Sequence, residues 1–287
     1  MKIGVLVSGN LGRLVLQEIV EVFNISFILT DRNSDGILDI CAKNQIPYFS
    51  GNPRNSKAIV ALPNIDCDLI VSVNYLFLIE KDLIELPLKM AINFHGSLLP
   101  KYRGRTPHVW SIINNESETG ITAHKIDLGC DTGEIIAQKK ISISPLDTGG
   151  DILRKYNEAY PKFVKNVIHD IEHGSFTLTK QNESLATYFG KRTAEDGRID
   201  WNWQKERIHN WIRAQARPYP GAYTFYDSDK VVIHRIRFSD FGFHYSIPNG
   251  TILLIDNDVP VVKTSNGSIE LVDFETQCTL QSNKILR

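Results

Sequence analysis

Asn93 and His95 lie one residue apart, on either side of Phe94, at the end of an apolar run that reads as a strand. Side chains alternate across a strand, so the carboxamide and the imidazole share one face and Phe94 takes the other. Further on, Asp127-Leu128-Gly129-Cys130-Asp131-Thr132-Gly133 reads as a second strand exit, with two glycines and two carboxylates. A carboxamide N–H can donate to an oxygen on which negative charge develops. An imidazole can take up a proton, or stabilise that oxygen when charged, and a carboxylate such as Asp131 can orient the imidazole. Together the three describe stabilisation of an oxyanion beside a proton acceptor, with the substrate left open. Taken singly, each has an ordinary structural explanation: a histidine after a strand, an asparagine capping a loop, and Asp-Thr-Gly as a turn or helix cap.

Such groups need rigid elements beneath them. Over the first half, residues 1–7, 25–29, 69–73 and 90–94 read as strands, with helices expected over 11–22 and 31–43. This alternation points to βαβ units, a parallel sheet covered on both faces, and right-handed crossovers that wind it into an open α/β domain. Ligands in such sheets bind beyond the carboxyl ends of the strands, where Asn93 and His95 fall. Residues 119–125 and 134–142 read as later strands, and 149–173 as a long amphipathic helix. A polar stretch over 174–200 is followed by a helix over 204–213, with Ile208, Trp211 and Ile212 as its apolar stripe. Short strands are then expected at 222–226, 231–238, 250–255, 259–263 and 269–274, with turns at Asn249-Gly250 and Asn266-Gly267. The expected organisation is a catalytic domain over 1–185 and, over 186–287, a helix with a smaller, barrel-like β-rich domain. Exposed strand edges and aromatics such as Phe241, Phe243 and Tyr245 need covering, which makes this second part a candidate for homodimer formation.

With 287 residues, 42% of them hydrophobic, the chain can bury ordinary cores without staples. A formal net charge of -1 offers no field for a polyanion, so nucleic acid is not an expected partner. Cys41, Cys67, Cys130 and Cys278 are scattered, with no CxxC pair and no metal-ligand spacing. No stretch reaches the apolar length of a membrane span, and MKIGVLVSGN lacks the long apolar region of a signal peptide. The expected address is the cytoplasm, with no metal and no membrane.

The string Asn93-x-His95-x-Ser97-Leu98-Leu99-Pro100-x-Tyr102-Arg103-Gly104, followed by Asp127-x-Gly129-x-Asp131-Thr132-Gly133, resembles the folate-dependent formyltransferase family. That family includes methionyl-tRNA, glycinamide ribonucleotide and nucleotide-sugar N-formyltransferases. The resemblance continues through Ala186-Thr187-Tyr188, residues 195–201 and Pro220-Gly221-Ala222-Tyr223, so it covers nearly the whole chain. It implies a Rossmann-like catalytic domain with a small C-terminal β domain, and N10-formyltetrahydrofolate as formyl donor. It also implies catalytic roles for Asn93, His95 and Asp131, with no metal. His95 would act as base or as oxyanion stabiliser. The resemblance further implies a pterin pocket beside Tyr75, Leu76, Phe77 and Leu78, read together with the loop holding Asp127, Gly129 and Gly133; Phe77 and Leu78 could equally be core.

Three acceptor amines compete. The tRNA branch usually carries a basic insertion after the second strand, whereas residues 30–36 here are short and not basic. The glycinamide ribonucleotide enzymes lack so long a C-terminal β domain. Residues 104–110, with Ile212-Arg213-Ala214 and residues 217–223, resemble the nucleotide-sugar branch. The expected acceptor is therefore a nucleotide-linked, dTDP-type 3- or 4-amino deoxysugar destined for surface glycans. The alternatives are methionyl-tRNA, or hydrolysis of the folate by water. Arg213 and Arg217 are expected to bind the pyrophosphate, and Tyr219 or Tyr223 to stack on the base. Further substrate contacts are expected from Ser8, Gly9 and Asn10 in the loop after the first strand, and from Gly96, Ser97, Arg105 and Thr106.

Overall fold

The computed structural model describes residues 1–62 and 65–287, and the chain divides into two compact units. The first comprises residues 1–104, 119–141 and 154–189, and the second residues 105–118, 142–153 and 190–287. Two stretches expected in the catalytic half, 105–118 and 142–153, therefore group with the C-terminal part. The helix at Pro107–Ile113 packs on the one at Lys205–Ala214, and Ile143 N–H donates to Ser117 O.

In chain order the elements begin with β1 (Lys2–Val7), α1 (Gly9–Ile19), β2 (Asn24–Thr30), α2 (Asp35–Asn44), β3 (Tyr48–Ser50) and α3 (Lys57–Ala61). They continue with β4 (Leu69–Val73), α4 (Lys81–Ile84), β5 (Met90–His95), β6 (Arg103–Gly104), α5 (Pro107–Ile113), β7 (Glu118–Lys125), β8 (Ile135–Ser142), α6 (Gly149–His173) and β9 (Tyr188–Phe189). A seven-stranded sheet runs β3-β2-β1-β4-β5-β7-β8, and β6 and β9 form a separate parallel pair. The pairs β1–β2, β1–β4, β2–β3 and β4–β5 are parallel, and β5–β7 is antiparallel. This is the expected doubly wound, mostly parallel α/β arrangement.

The residue types explain it. All five residues of β4 are buried, as are all of β1 after Lys2, as a continuous apolar run requires when helices cover both faces. Helix α1 buries Leu11, Val15, Leu16 and Ile19 at three-to-four-residue spacing. Helix α6 sets Tyr156, Tyr160, Val164, Val167 and Ile171 on its buried face. Its Phe163 meets Phe94 edge-on at 5.9 Å, and Tyr156 OH donates to Gly96 O at 2.7 Å. Strand order reverses at β1, which has β2 on one side and β4 on the other. Beyond that switch Asn74, in the left-handed region at φ 52, donates from Nδ2 to Ser8 O at 3.0 Å.

The second unit holds α5, α7 (Lys205–Ala214) and the strands β10 (Ala222–Tyr226), β11 (Asp229–Ser239), β12 (Ile252–Asp256), β13 (Val259–Thr264) and β14 (Gly267–Glu275). Their sheet is antiparallel, in the order β10-β11-β14-β13-β12. Its core gathers Trp201, Ile208, Ile212, Ile233, Ile252 and Leu271. The sheet's two edges are bridged by the C-terminal segment. Phe225 and Arg287 exchange both backbone hydrogen bonds (2.7 and 2.8 Å), Asn283 N–H donates to Ile252 O, and Ile252 N–H to Lys284 O. The chain thus nearly closes its own barrel. The edge strands expected to need a partner are covered from within, and Phe243 is half-buried beneath Lys263, while Phe241 and Tyr245 stay exposed.

Candidate active site

Strand β5 carries Asn93 and His95 to its carboxyl end, and antiparallel pairing with β7 sets His124 opposite Asn93 and Thr122 opposite His95. His95 is buried. Its Nε2 lies 2.7 Å from Tyr102 O. A carbonyl only accepts, so Nε2 carries the proton and the neutral ring presents its lone pair at Nδ1. Nδ1 lies 3.5 Å from Asp131 Oδ2, an ion-pair separation rather than a hydrogen bond, with the two side chains 7% and 14% exposed. Burial holds His95 below its ordinary 6.5, against the opposing pull of Asp131 and the Tyr102 carbonyl; His124 pushes the same way as burial. The ring is therefore neutral at neutral pH.

Asp131 stands at φ 55, a backbone that aspartate tolerates better than most residues. Its Oδ2 accepts the Gly104 N–H at 2.9 Å, and its Oδ1 lies 3.5 Å from His124 Nε2. Burial raises its pKa, but His95, His124 and the Gly104 amide together hold it well below the usual carboxylate range. Gly104 itself sits at φ 96, where an added Cβ would come within 2.3 Å of Phe189 O.

His124 is a member of this cluster that sequence reading missed. Its Nδ1 contacts Lys125 O at 2.8 Å and so bears the proton, which leaves Nε2 to accept from Asn93 Nδ2 at 3.3 Å. One amide hydrogen of Asn93 is used in this way, and the second can be offered to a substrate oxygen. The available signal was the alternation Thr122-x-His124 on an apolar strand, but only the β5–β7 register reveals the partner.

In the loop after β4 the side chains divide between core and surface. Tyr75 packs into the core that includes Leu6, Phe27 and Ile70, edge-on to Phe77 at 5.5 Å. Burial pushes its phenol far above its ordinary value, and its OH has no partner among the described residues. The Tyr75 side chain is thus a core residue, which leaves its backbone groups for the expected pterin contact. Phe77 is half-buried, whereas Leu76 and Leu78 are exposed. Asp127 is spent on its own turn, its Oδ1 accepting from Gly129 N–H (3.0 Å) and Thr132 Oγ1 (2.6 Å). At Gly133 a Cβ would lie 1.9 Å from Lys125 O, so only glycine lets that turn close.

Several expected substrate contacts are engaged internally. Gly9 N–H donates to Ser34 Oγ at 2.8 Å, and Ser34 Oγ to Asp31 Oδ2 at 2.6 Å, so that amide does not point at a phosphate. Ser8 is buried, and Asn10 Oδ1 accepts from Arg13. Gly96 O accepts from Tyr156, and the buried Ser97 donates from Oγ to Lys101 O at 2.7 Å, which makes Ser97 a loop fastener rather than a contact. These are all residues of the first unit.

Within the second unit, Arg213 is corrected most clearly. It is buried, with Nε donating to Asn210 Oδ1 and Nη1 to the carbonyls of Asp147 (2.6 Å) and Ser144 (3.3 Å), a clamp on backbone rather than a pyrophosphate fork. Arg217 is exposed and paired with Asp273 and Glu275. Tyr219 OH meets His108 Nε2 at 2.6 Å; burial pushes the phenol up to about 12 and the imidazole down to about 4. Tyr223 OH donates to Glu195 O, and Lys230 Nζ sits 4.1 Å over its ring. Arg105 is exposed, and Thr106, at φ 50, keeps a buried Oγ1 without a partner among the described residues.

Among the described residues, no group of three or more His, Cys, Asp or Glu is placed to hold a metal ion, and no helix is long and apolar enough to cross a membrane. Comparison with known proteins adds two family matches: formyl transferase over residues 5–168, and formyl transferase, C-terminal domain, over residues 191–284. Among solved structures, the chain resembles WlaRD, a sugar 3N-formyl transferase crystallised in the presence of dTDP and 5-N-formyl-THF. The TM-score is 0.72 at 22% identity, covering 98% of this chain and 99% of that one. It also resembles an N-formyltransferase from Helicobacter canadensis, in complex with folinic acid and dTDP-3-aminofucose, with a TM-score of 0.71, 21% identity and coverage of 94% and 98%. A 4-N formyltransferase from Francisella tularensis gives 0.65, 23%, and coverage of 77% and 91%. At these identities the likeness to the solved structures concerns the fold.

Proposed function

The chain belongs to the formyl transferase family, and from that premise we propose that it moves the formyl group of N10-formyltetrahydrofolate onto the amino group of a dTDP-linked 3- or 4-amino deoxysugar. The observation that carries the chemistry is the close set of Asn93, His95, His124 and Asp131, with both imidazoles buried and the carboxamide and carboxylate partly so. The amine nitrogen attacks the formyl carbon, the new C–N bond forms, and the carbonyl electron pair moves onto oxygen. Asn93 donates its second N–H to that oxyanion; one such donor is typically worth about 3 kcal/mol. The nitrogen's proton passes to His95 Nδ1, directly or through one water, and Asp131 steadies the imidazolium that results. Collapse of the oxyanion breaks the bond to N10, which regains a proton. A neutral ring, protonated at Nε2 and facing a carboxylate through Nδ1, suits the base role better than that of a permanent cation.

The sugar acceptor is supported by the whole-chain likeness to WlaRD, which was crystallised with dTDP, and by a net charge of -1, which favours a small substrate over tRNA. The pterin is read by backbone groups of residues 75–78 and of the 127–133 turn, with the exposed Leu76 and Leu78 beside it. Arg105 and Tyr219 are the remaining candidates for the nucleotide. The same reading puts the protein in the cytoplasm, in the making of surface glycans, as a homodimer joined through Phe241 and Tyr245. The deciding assay offers N10-formyltetrahydrofolate with dTDP-linked 3-amino and 4-amino sugars, a UDP-linked 4-amino sugar and methionyl-tRNA. Turnover of a dTDP sugar is expected. Turnover of methionyl-tRNA alone, or formate release with no acceptor, overturns the reading.

A further inference from the structure

Among the described residues Arg103 is the largest side chain with no exposure at all, and its neighbours in sequence are the two backbone partners of the centre. Tyr102 supplies the carbonyl that fixes the tautomer of His95, and Gly104 the amide that holds Asp131. Both depend on unusual backbone, with Tyr102 at φ 62 and Gly104 at φ 96. A large aromatic residue in the left-handed region persists only where its surroundings over-determine it.

The surroundings do so through one network. Arg103 forks onto Glu183, Nη1 to Oε2 at 2.8 Å and Nη2 to Oε1 at 2.6 Å, and also donates to Tyr188 OH. Its Nε and Nη2 both donate to Gln181 Oε1, at 3.2 and 2.7 Å. The other end of Gln181 is equally committed, since its Nε2 donates to Asp131 O at 2.8 Å and Gly133 O at 2.7 Å. One carboxamide therefore spans the two segments that face each other across the catalytic pair. Its oxygen holds the 102–104 segment through Arg103, and its nitrogen holds the 131–133 turn. The parallel β6–β9 pair and the donation of Tyr102 N–H to Thr187 Oγ1 anchor the same segment from the other side.

We infer that Gln181, acting through Arg103, is a positioning residue that sets the Asp131–His95 separation. It touches neither nitrogen of His95 nor the Asp131 carboxylate, so its effect is purely on where they stand. This inference rests on the formyl-transfer reading only for its kinetic consequence. The groups facing His95 and Asp131 are each other, His124, the Tyr102 carbonyl, the Gly104 amide and the Cys130 thiol, with Tyr160 of α6 near enough to feel the Asp131 charge.

Two substitutions divide the two ends of the carboxamide. Gln181→Glu keeps an oxygen for Arg103 but sets a carboxylate against the carbonyls of Asp131 and Gly133, whereas Gln181→Ala removes both ends. Each is expected to lower kcat by roughly 10- to 100-fold, as a misplacement near 1 Å does, with KM for both substrates within about threefold. In each, the ring of His95, followed by NMR on histidine-labelled protein, titrates at lower pH, because Asp131 is released from its vicinity. A variant that only loosened packing would leave that titration in place. Wild-type kcat together with an unmoved His95 titration in both variants overturns the inference. Should neither variant fold, Arg103→Lys, which keeps the charge but not the fork, is read in the same two ways with the same expectations. If the wild-type protein formylates none of the amines offered, the functional reading fails, and the NMR titration alone decides the positioning role.

Discussion

Asp131→Asn separates the charge at this position from its shape. Asparagine readily takes the left-handed backbone found at φ 55, and its carbonyl oxygen can still accept the Gly104 N–H now held at 2.9 Å. What disappears is one negative charge 3.5 Å from His95 Nδ1. Opposite unit charges at that distance attract by about 1 kcal/mol in a water-like medium and about 5 kcal/mol at an effective dielectric constant near 20. Both side chains are nearly excluded from solvent, so the effect lies inside that interval. It corresponds to a fall of about one to three pH units in the titration of His95. The direction is fixed, because burial and His124 continue to oppose the imidazolium while its partner is gone. Histidine-labelled protein titrated by NMR reads the shift directly, and kcat/KM for formyl transfer over the same pH range reads its consequence. The acidic limb moves to lower pH, and turnover falls by at least about tenfold because a weaker base takes the proton. A His95 titration that stays put or rises in Asp131→Asn refutes the pairing. A shifted titration with undiminished turnover refutes the base role.

Two further perturbations test one position in each unit. Gly104→Ala forces a Cβ to within 2.3 Å of Phe189 O at φ 96, so it should cost about 1–3 kcal/mol, lower the melting temperature by several degrees and depress kcat as the amide on Asp131 moves; an alanine variant with wild-type melting and turnover contradicts this. His108 titrates near 4 in the folded chain against about 6.5 unfolded, so folding resists its protonation. The stability associated with its neutral form is complete above about pH 6.5 and is lost as pH falls toward 4, by up to about 3 kcal/mol. Urea unfolding at pH 7, 5.5 and 4.5 should therefore show a shallower decline in His108→Asn than in the wild type, and parallel curves exclude the effect.

How much of this was legible in the sequence depended on distance along the chain. The shared face of Asn93 and His95 followed from strand alternation, and the helix over 149–173 from an apolar stripe that the structure buries as Tyr156, Tyr160, Val164 and Val167. The strand at Tyr48–Ser50, only three residues long, left too little pattern to find, and the β6–β9 pair joins residues 85 apart that carry no strand signal of their own. Arg213 looked like a phosphate ligand because guanidinium forks suit phosphate. Besides Asn210 on its own helix, its acceptors are carbonyls at 144 and 147, which no local rule connects to it. Tyr75 fell in the expected loop, yet its ring turned into the core, since a loop's position does not fix which way a side chain points.

The same contrast explains how the centre is built. The groups that do chemistry sit where local rules put them, at strand exits, but the geometry that makes them act together comes from residues with no chemistry to perform. Asn74, Tyr102 and Asp131 all occupy the left-handed region in the loops beyond those exits, and none is glycine. Such positions cost of order 1 kcal/mol or more each, so they stand only where something holds them. Around Tyr102 and Asp131 that support is the buried guanidinium of the adjoining Arg103, held in turn by one carboxamide, that of Gln181, and by Glu183, both contributed across the fold rather than along the chain. It follows that substitutions at Arg103 or Gln181 should couple to substitutions at Asp131. Once the carboxylate is gone there is no separation left to set, so adding Gln181→Ala to Asp131→Asn should lower kcat by much less than the same change lowers it in the wild type. Independent, multiplying losses in the double variant would mean that Gln181 acts on turnover by some route other than the Asp131–His95 pair.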